Sequence, residues 1–245
     1  RRYRYLGGRG LTSRIVADEV PADCHPLGPN NKLVIAPGIV TGTSAPTSGR
    51  LSVGGKSPLT GGIKEANAGG LAPQKLARLG IKAIVVEGQP QDSGWHMVAV
   101  DKSGAQLHPA DDLAGKGLYE TDKALWDRCG KVAVIGIGQA GEMKMTMAAI
   151  SVNDMENSPG RYAGRGGLGA VMGSKGLKAI VADDRGTRVL RPKQPALFKQ
   201  GTGALTKALR AHAVTGDALP TYGTAVLINV MNEAGGLPTR NFSSG

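Results

Sequence analysis

The stretch GIKAIVVEG at 80–88 returns as GLKAIVADD at 176–184, with five of the first six positions identical. A repeat of this kind restricts the chain to folds that contain the same supersecondary unit twice. The preceding segments correspond in the same order. KLVIAPG at 32–38 resembles KVAVIGI at 131–137, Ser52-Val53 matches Ser151-Val152, and AGGLA at 68–72 matches RGGLG at 165–169. Each copy reads as strand, loop, strand, glycine-rich turn, short helix (LAPQKLARLG or LGAVMGSKG) and a final buried strand rich in Ile and Val. The expected fold class is therefore α+β. It is an internally duplicated β-sheet domain over residues 1–190, with repeats at about 32–88 and 131–184, and pseudo-twofold symmetry that brings the two glycine-rich turns together.

The second of those turns, GRYAGRGGLG at 160–169, combines five glycines with two arginines. Glycine allows close backbone approach and arginine presents a fork of donors suited to phosphate or carboxylate oxygens, so an anion is the expected ligand. A helix beginning at Leu168 would direct free N–H groups back into this loop. In the first copy, Arg50 enters the strand LSV from a loop rich in Gly, Ser, Thr and Pro, which aims its guanidinium from a rigid element; the alternative is a surface hairpin without a ligand.

Lys and Arg outnumber Asp and Glu by 30 to 19, a formal charge of +11 that suits an anionic partner. At 4% aromatic residues the chain lacks the stacking rings that single-stranded nucleic acid needs, so no nucleic-acid partner is expected. No apolar run reaches membrane-spanning length and no signal peptide opens the chain, so no membrane partner and a cytoplasmic location are the expectation. The opening at Arg1 instead of methionine leads to the expectation that N-terminal sequence has been lost. Cys24 and Cys129 match no CxxC spacing and read as free thiols, and His25, His96, His108 and His212 are scattered.

VAVIGIGQAG at 132–141 has GxGxxG spacing after a strand, but the period-two alternation of Met143, Met145 and Met147 reads as a second strand. Asp154 then follows too early for an intervening helix, which argues against dinucleotide binding.

The segments TGTSAPTSGRLSVGGKSPLTGGIKEANAGG, LGIKAIVVEG, RYAGRGGLGAVMGSKGLKAI and YGTAVLINVMNEAGGLPTRNF occur in the order found in aldehyde ferredoxin oxidoreductases, and the chain resembles that family over most of its length. The resemblance implies a domain that forms the base for a tungsten or molybdenum held by two pyranopterins, whose phosphates are bridged by a magnesium ion. It assigns cofactor binding to Arg50, Asn67, Gly69, Arg161, Tyr162, Gly164 and Arg165. The Asn67 side-chain carbonyl and the Tyr162 backbone carbonyl would be magnesium ligands, since that ion prefers oxygen. Tyr162 stands where relatives often carry a small residue.

The family's 4Fe–4S cysteines, a CxxCxxxC run and a distant partner, fall downstream of GGLPTRNF, as do its proton-transfer residues, so no catalytic residue is assigned to these positions. The expected activity of the whole enzyme is oxidation of an aldehyde to a carboxylic acid, with electrons passing to ferredoxin or a similar carrier. A homodimer and the remaining domains of the same enzyme are further expected partners. Relatives that reduce acids or aromatic thioesters share this domain. The competing class is a non-enzymatic module that binds a phosphorylated ligand or polyanion. After the basic linker RGTRVLRPKQP, Leu197, Leu205 and Leu209 suggest a helix opening a second, helical domain over residues 191–245.

Overall fold

The structure is a computed structural model and describes residues 2–188 and 190–243. The chain divides at Arg191 into two compact units. The first opens with helix α1 (Gly8–Glu19), whose buried Leu11, Thr12, Ile15 and Val16 recur at helical spacing and form one stripe. Strands β1 (Leu33–Pro37), β2 (Leu51–Lys56) and β3 (Ile63–Ala68) follow, then helix α2 (Ala72–Arg78) and strand β4 (Ile84–Val86). A hairpin of β5 (His96–Asp101) and β6 (Gly104–Pro109) leads to helix α3 (Leu118–Cys129) and strand β7 (Ala133–Gly136). Helix α4 (Gln139–Glu142), strands β8 (Ile150–Val152) and β9 (Arg161–Ala163), helix α5 (Leu168–Ser174) and strand β10 (Leu177–Ala182) complete the unit.

The strands form two sheets, ordered β3-β2-β1-β4 and β6-β5-β10-β7-β8-β9. Four strands of the second sheet, β9-β8-β7-β10, have the connectivity of the whole first sheet, and every pairing within both sets is antiparallel. The registers agree as well: Ile35 pairs with Ile84 and Ile135 with Ile180, while Ser52 pairs with Asn67 and Ser151 with Tyr162. One cluster joins Leu33, Ile35, Leu51 and Val53 of the first sheet to Ile135, Ile150, Val152 and Ile180 of the second. Alternation along each strand turns the neighbouring residues to the other face. There Val34 and Ala36 pack against α1, and Val134, Ala179 and Val181 pack in a cluster with Leu125 of α3.

Several local expectations are corrected. The glycine-rich turns are preceded by strands of their own, because KEANA and RYA pair with β2 and β8 at the sheet edges. The first copy's final strand, β4, is an edge strand and only half buried, whereas β10 is enclosed between β5 and β7 and buried throughout. The methionine-rich segment is not a strand. Gly138 and Gly141 admit the short helix α4, Lys144 takes a φ of 56°, and Met143, Met145 and Met147 stand exposed. A short helix thus does begin within the GxGxxG spacing, after Gly138, but β8 runs antiparallel to β7, which is not the parallel unit of a dinucleotide fold.

The second unit contains α6 (Pro195–Ala211), α7 (Leu219–Tyr222) and α8 (Ile228–Glu233), and none of these helices has a buried residue. Leu197 and Leu205 on α6 are exposed. No described helix is long and apolar enough to cross a membrane.

Candidate functional site

Strands β3 and β9, the edges of the two sheets, touch. Between them lies a cavity of about 380 Å³. Glu65 and Asn67, two residues apart and therefore on one face of β3, form one wall; Tyr162 on β9, with Gly164 and Arg165 just after it, forms the other. Arg50, immediately before β2, and Arg9, in the first turn of α1, close the ends.

The hydrogen bonds leave donors free. Arg50 Nε donates to Asn67 Oδ1 at 2.5 Å, and Asn67 Nδ2 reaches Ser52 Oγ at 3.4 Å. The Arg50 terminal nitrogens have space beside Gly69, where an added Cβ would lie 3.4 Å from Nη1. Arg9 Nε pairs with Glu65 Oε2 at 3.0 Å, while the buried Glu65 Oε1 has no hydrogen-bond partner. Among the described residues neither Arg50 nor Arg165 forms an ion pair. Three guanidinium groups thus face one carboxylate, which suits a multiply charged anion; the unpartnered carboxylate oxygen and the second lone pair of Asn67 Oδ1 suit a hard cation accompanying it.

Of the seven residues singled out in the sequence, Arg50, Asn67, Tyr162, Gly164 and Arg165 line the cavity and Gly69 makes room for Arg50. Arg161 does not line it, because it precedes Tyr162 on β9 and points to the opposite face. Arg9 and Glu65 were not foreseen. Their signals were the GGRGL stretch and the two-residue spacing of Glu65 from Asn67.

The loop GRYAGRGGLG divides its tasks. Tyr162, Gly164 and Arg165 face the cavity. In its second half, Gly167 has a φ of 70° and an added Cβ would meet the Thr146 carbonyl at 1.9 Å; at Gly169 the corresponding approach to the Ala149 carbonyl is 2.5 Å. The Gly169 N–H donates to the Ala148 carbonyl and α5 is wholly buried, so the start of this helix is turned into the core and not toward an anion.

Beneath Tyr162, polar groups on α3 and β8 are enclosed. Thr121 Oγ1, Asp122 Oδ2 and Ser151 Oγ are buried and have no hydrogen-bond partner. Burial, reinforced by the charge of Asp154, pushes the Asp122 carboxyl up to about 7 from an ordinary value of 3.8. Burial chiefly, then Tyr119 and Asp122, raises the Tyr162 hydroxyl. Because the folded state holds the Asp122 proton more tightly than the unfolded chain, this residue's contribution to stability falls as pH rises from about 4 to about 7 and levels off above. Between pH 5 and 8 the loss is expected to be about 2 kcal/mol, and Asp122→Asn should remove it. Urea melts of both proteins at the two pH values check this; parallel pH profiles would show that Asp122 ionises freely.

Residues 1–184 match the family described as "Aldehyde ferredoxin oxidoreductase, N-terminal domain". The chain belongs to the aldehyde ferredoxin oxidoreductase family. It is 43% identical over 244 residues to the tungsten-containing aldehyde ferredoxin oxidoreductase of Thermococcus kodakarensis and 42% identical to that of Pyrococcus furiosus, covering 99% of this chain and 39% of each relative. The chain therefore spans well under half the length of these relatives. The WOR-like subunit of aliphatic sulfonate oxidoreductase from P. furiosus is 30% identical over 200 residues, covering 75% of this chain and 31% of that subunit. Among solved structures, the active-site complex BamBC of benzoyl coenzyme A reductase, bound to 1,5-dienoyl-CoA, is similar with a TM-score of 0.77 at 31% identity, covering 84% of this chain and 30% of that one.

Proposed function

We propose that the cavity between β3 and β9 holds the phosphate ends of a tungsten (or molybdenum) bis-pyranopterin, with a magnesium ion between the phosphates. The observation that carries this reading is the matched placement of Asn67 and Tyr162. Each pairs with the serine of its own sheet, Ser52 or Ser151, and each lines the same cavity. Matching connectivity and register support an ancestral duplication with a pseudo-twofold axis passing near this point.

In this reading Arg50 and Arg165 contact phosphate oxygens directly, and Arg9 remains tied to Glu65 while its terminal nitrogens stay available. The Asn67 Oδ1 and the Tyr162 backbone carbonyl hold the magnesium ion, and Glu65 lies beside them. When bound, the metal–pterin group supplies two-electron redox chemistry. This domain's residues bind and orient its anionic ends. The whole protein then oxidises an aldehyde to a carboxylic acid with a ferredoxin-type acceptor, and its 4Fe–4S ligands lie outside these residues; Cys24 and Cys129 stay free thiols. A cytoplasmic homodimer fits the same reading. The likeness to BamBC favours a second reading, in which the family member acts on an aromatic thioester.

The two halves of the site give different expected results. Asn67→Ala removes a side-chain ligand and the Arg50 contact and should lower retained metal and pterin at least tenfold, whereas Tyr162→Ala leaves the backbone oxygen and should change retention less than threefold. Metal analysis and pterin fluorescence of the purified proteins measure both. Equal losses would discard the shared-ion arrangement. No metal in the wild type, with steeply salt-dependent polyanion binding, would instead support a non-enzymatic module.

A further inference from the structure

The two sheets carry the same lysine at a matched position but surround it differently. Lys178 lies two residues before Ile180, and Lys82 two residues before Ile84, so the paired isoleucines put the lysines in register. Each ammonium group holds the chain just before a helix. Lys178 Nζ donates to the Lys116 carbonyl at 2.9 Å, two residues before α3, and Lys82 Nζ donates to the Leu6 carbonyl at 2.8 Å, two residues before α1. Lys178 completes its shell with Glu142, whose two oxygens also accept the Gly115 N–H at 3.2 and 3.0 Å.

Lys82 has no such acid. Counting from Ile35 and Ile135, the position that corresponds to Glu142 is Gly42. Among the described residues neither Lys82 nor Arg4 forms an ion pair. Beside them a cavity of about 330 Å³ opens, lined also by Tyr5, Gly38, Ile39 and Ile81. Tyr5 corresponds to Gly115 and Gly38 to Gly138, so the cavity lies where the Glu142 carboxylate lies in the other half.

We propose that this cavity is a carboxylate-binding site, filled from outside by the group that Glu142 supplies internally to Lys178. Lys82 and Arg4 meet the charge, and the apolar walls at Leu6, Ile39 and Ile81 favour an acid with a short aliphatic stem. The stem belongs either to a free monocarboxylic acid or to an acidic side chain of another polypeptide segment. The site is separate from the cofactor reading and does not depend on it.

The test is a titration of the 245-residue chain with isobutyrate, followed by amide NMR. Tyr5, Leu6 and Gly38 are expected to shift with millimolar affinity, and isobutyramide, of the same shape but uncharged, should leave them in place. Lys82→Met should weaken binding at least tenfold. Because Lys82 also ties down local carbonyls, Ile39→Trp, which fills the cavity from another wall, provides a second variant with the same expected loss. N-acetylglutamic acid methylamide in parallel distinguishes the sources: tighter binding of this mimic identifies a protein side chain, tighter binding of isobutyrate a free acid. Unmoved amides in the folded wild type, equal shifts with isobutyramide, or binding that survives both substitutions would overturn the proposal.

Discussion

Arg50→Lys is expected to abolish retention of the cofactor proposed for the cavity between β3 and β9 while leaving the fold intact. The substitution keeps the positive charge but removes both the Nε donor to Asn67 Oδ1 and the planar fork that can grip two phosphate oxygens. Hydrogen bonds between charged groups contribute about 1.5–3 kcal/mol each, so affinity for a phosphorylated cofactor should fall ten- to a hundredfold or more. Arg50 is exposed, and the melting temperature should stay within about 2 °C of the wild type. Metal and pterin content of the purified protein is the first readout. Pyrophosphate binding in the presence of magnesium is the second, and it needs no assembled cofactor. Unchanged values in both would remove Arg50 from the site.

Glu142→Ala should produce the largest loss of stability. The Lys178 side chain is fully buried, and Glu142 supplies its only carboxylate among the described residues. Breaking a buried pair by deleting one partner costs about 3–5 kcal/mol, because the remaining charge is stranded without compensation. For a unit of this size that corresponds to a drop of about 10 °C in melting temperature. Converting Lys178 to Met in the same background should recover part of the loss, since a similar apolar stem fits the space without a charge. A double variant no more stable than Glu142→Ala, or a single variant within 1 kcal/mol of the wild type by urea denaturation, would contradict the stranded-charge account.

The strand endings GIKAIVVEG and GLKAIVADD carried much of the topology because apolar β-branched runs favour strands, although only the second is buried throughout, since β4 lies at a sheet edge. The edge strands were harder to read. KEANA and RYA are polar and short, and they become strands through pairing along one side, a long-range effect that local composition does not encode. The methionine alternation misled for a related reason, since period-two spacing marks a strand only when one face is covered, and Met143, Met145 and Met147 are exposed. At the site, glycine and arginine content located both loops. Arg161 shows the limit of that signal: its composition equals that of Arg165, but strand alternation turns it away. Arg9 belongs to a helix start far away in sequence, and only the packing of α1 against β3 brings it to Glu65.

The position of β10 affects how the molecule is built during synthesis. It is the last strand of the first unit to leave the ribosome, but it lies in the middle of the six-stranded sheet, between β5 and β7. The smaller sheet has all four of its strands once Val86 has emerged, and it can close early. The larger sheet cannot. Until residues 177–182 arrive, the β5–β6 hairpin and the β7–β8–β9 segment remain separate pieces with open edges, and a nascent chain at that stage is vulnerable to mispairing. Pulling β10 into the gap joins residues distant in sequence, which makes this closure slow. The six-stranded sheet thus depends on its last-made strand to join its two halves.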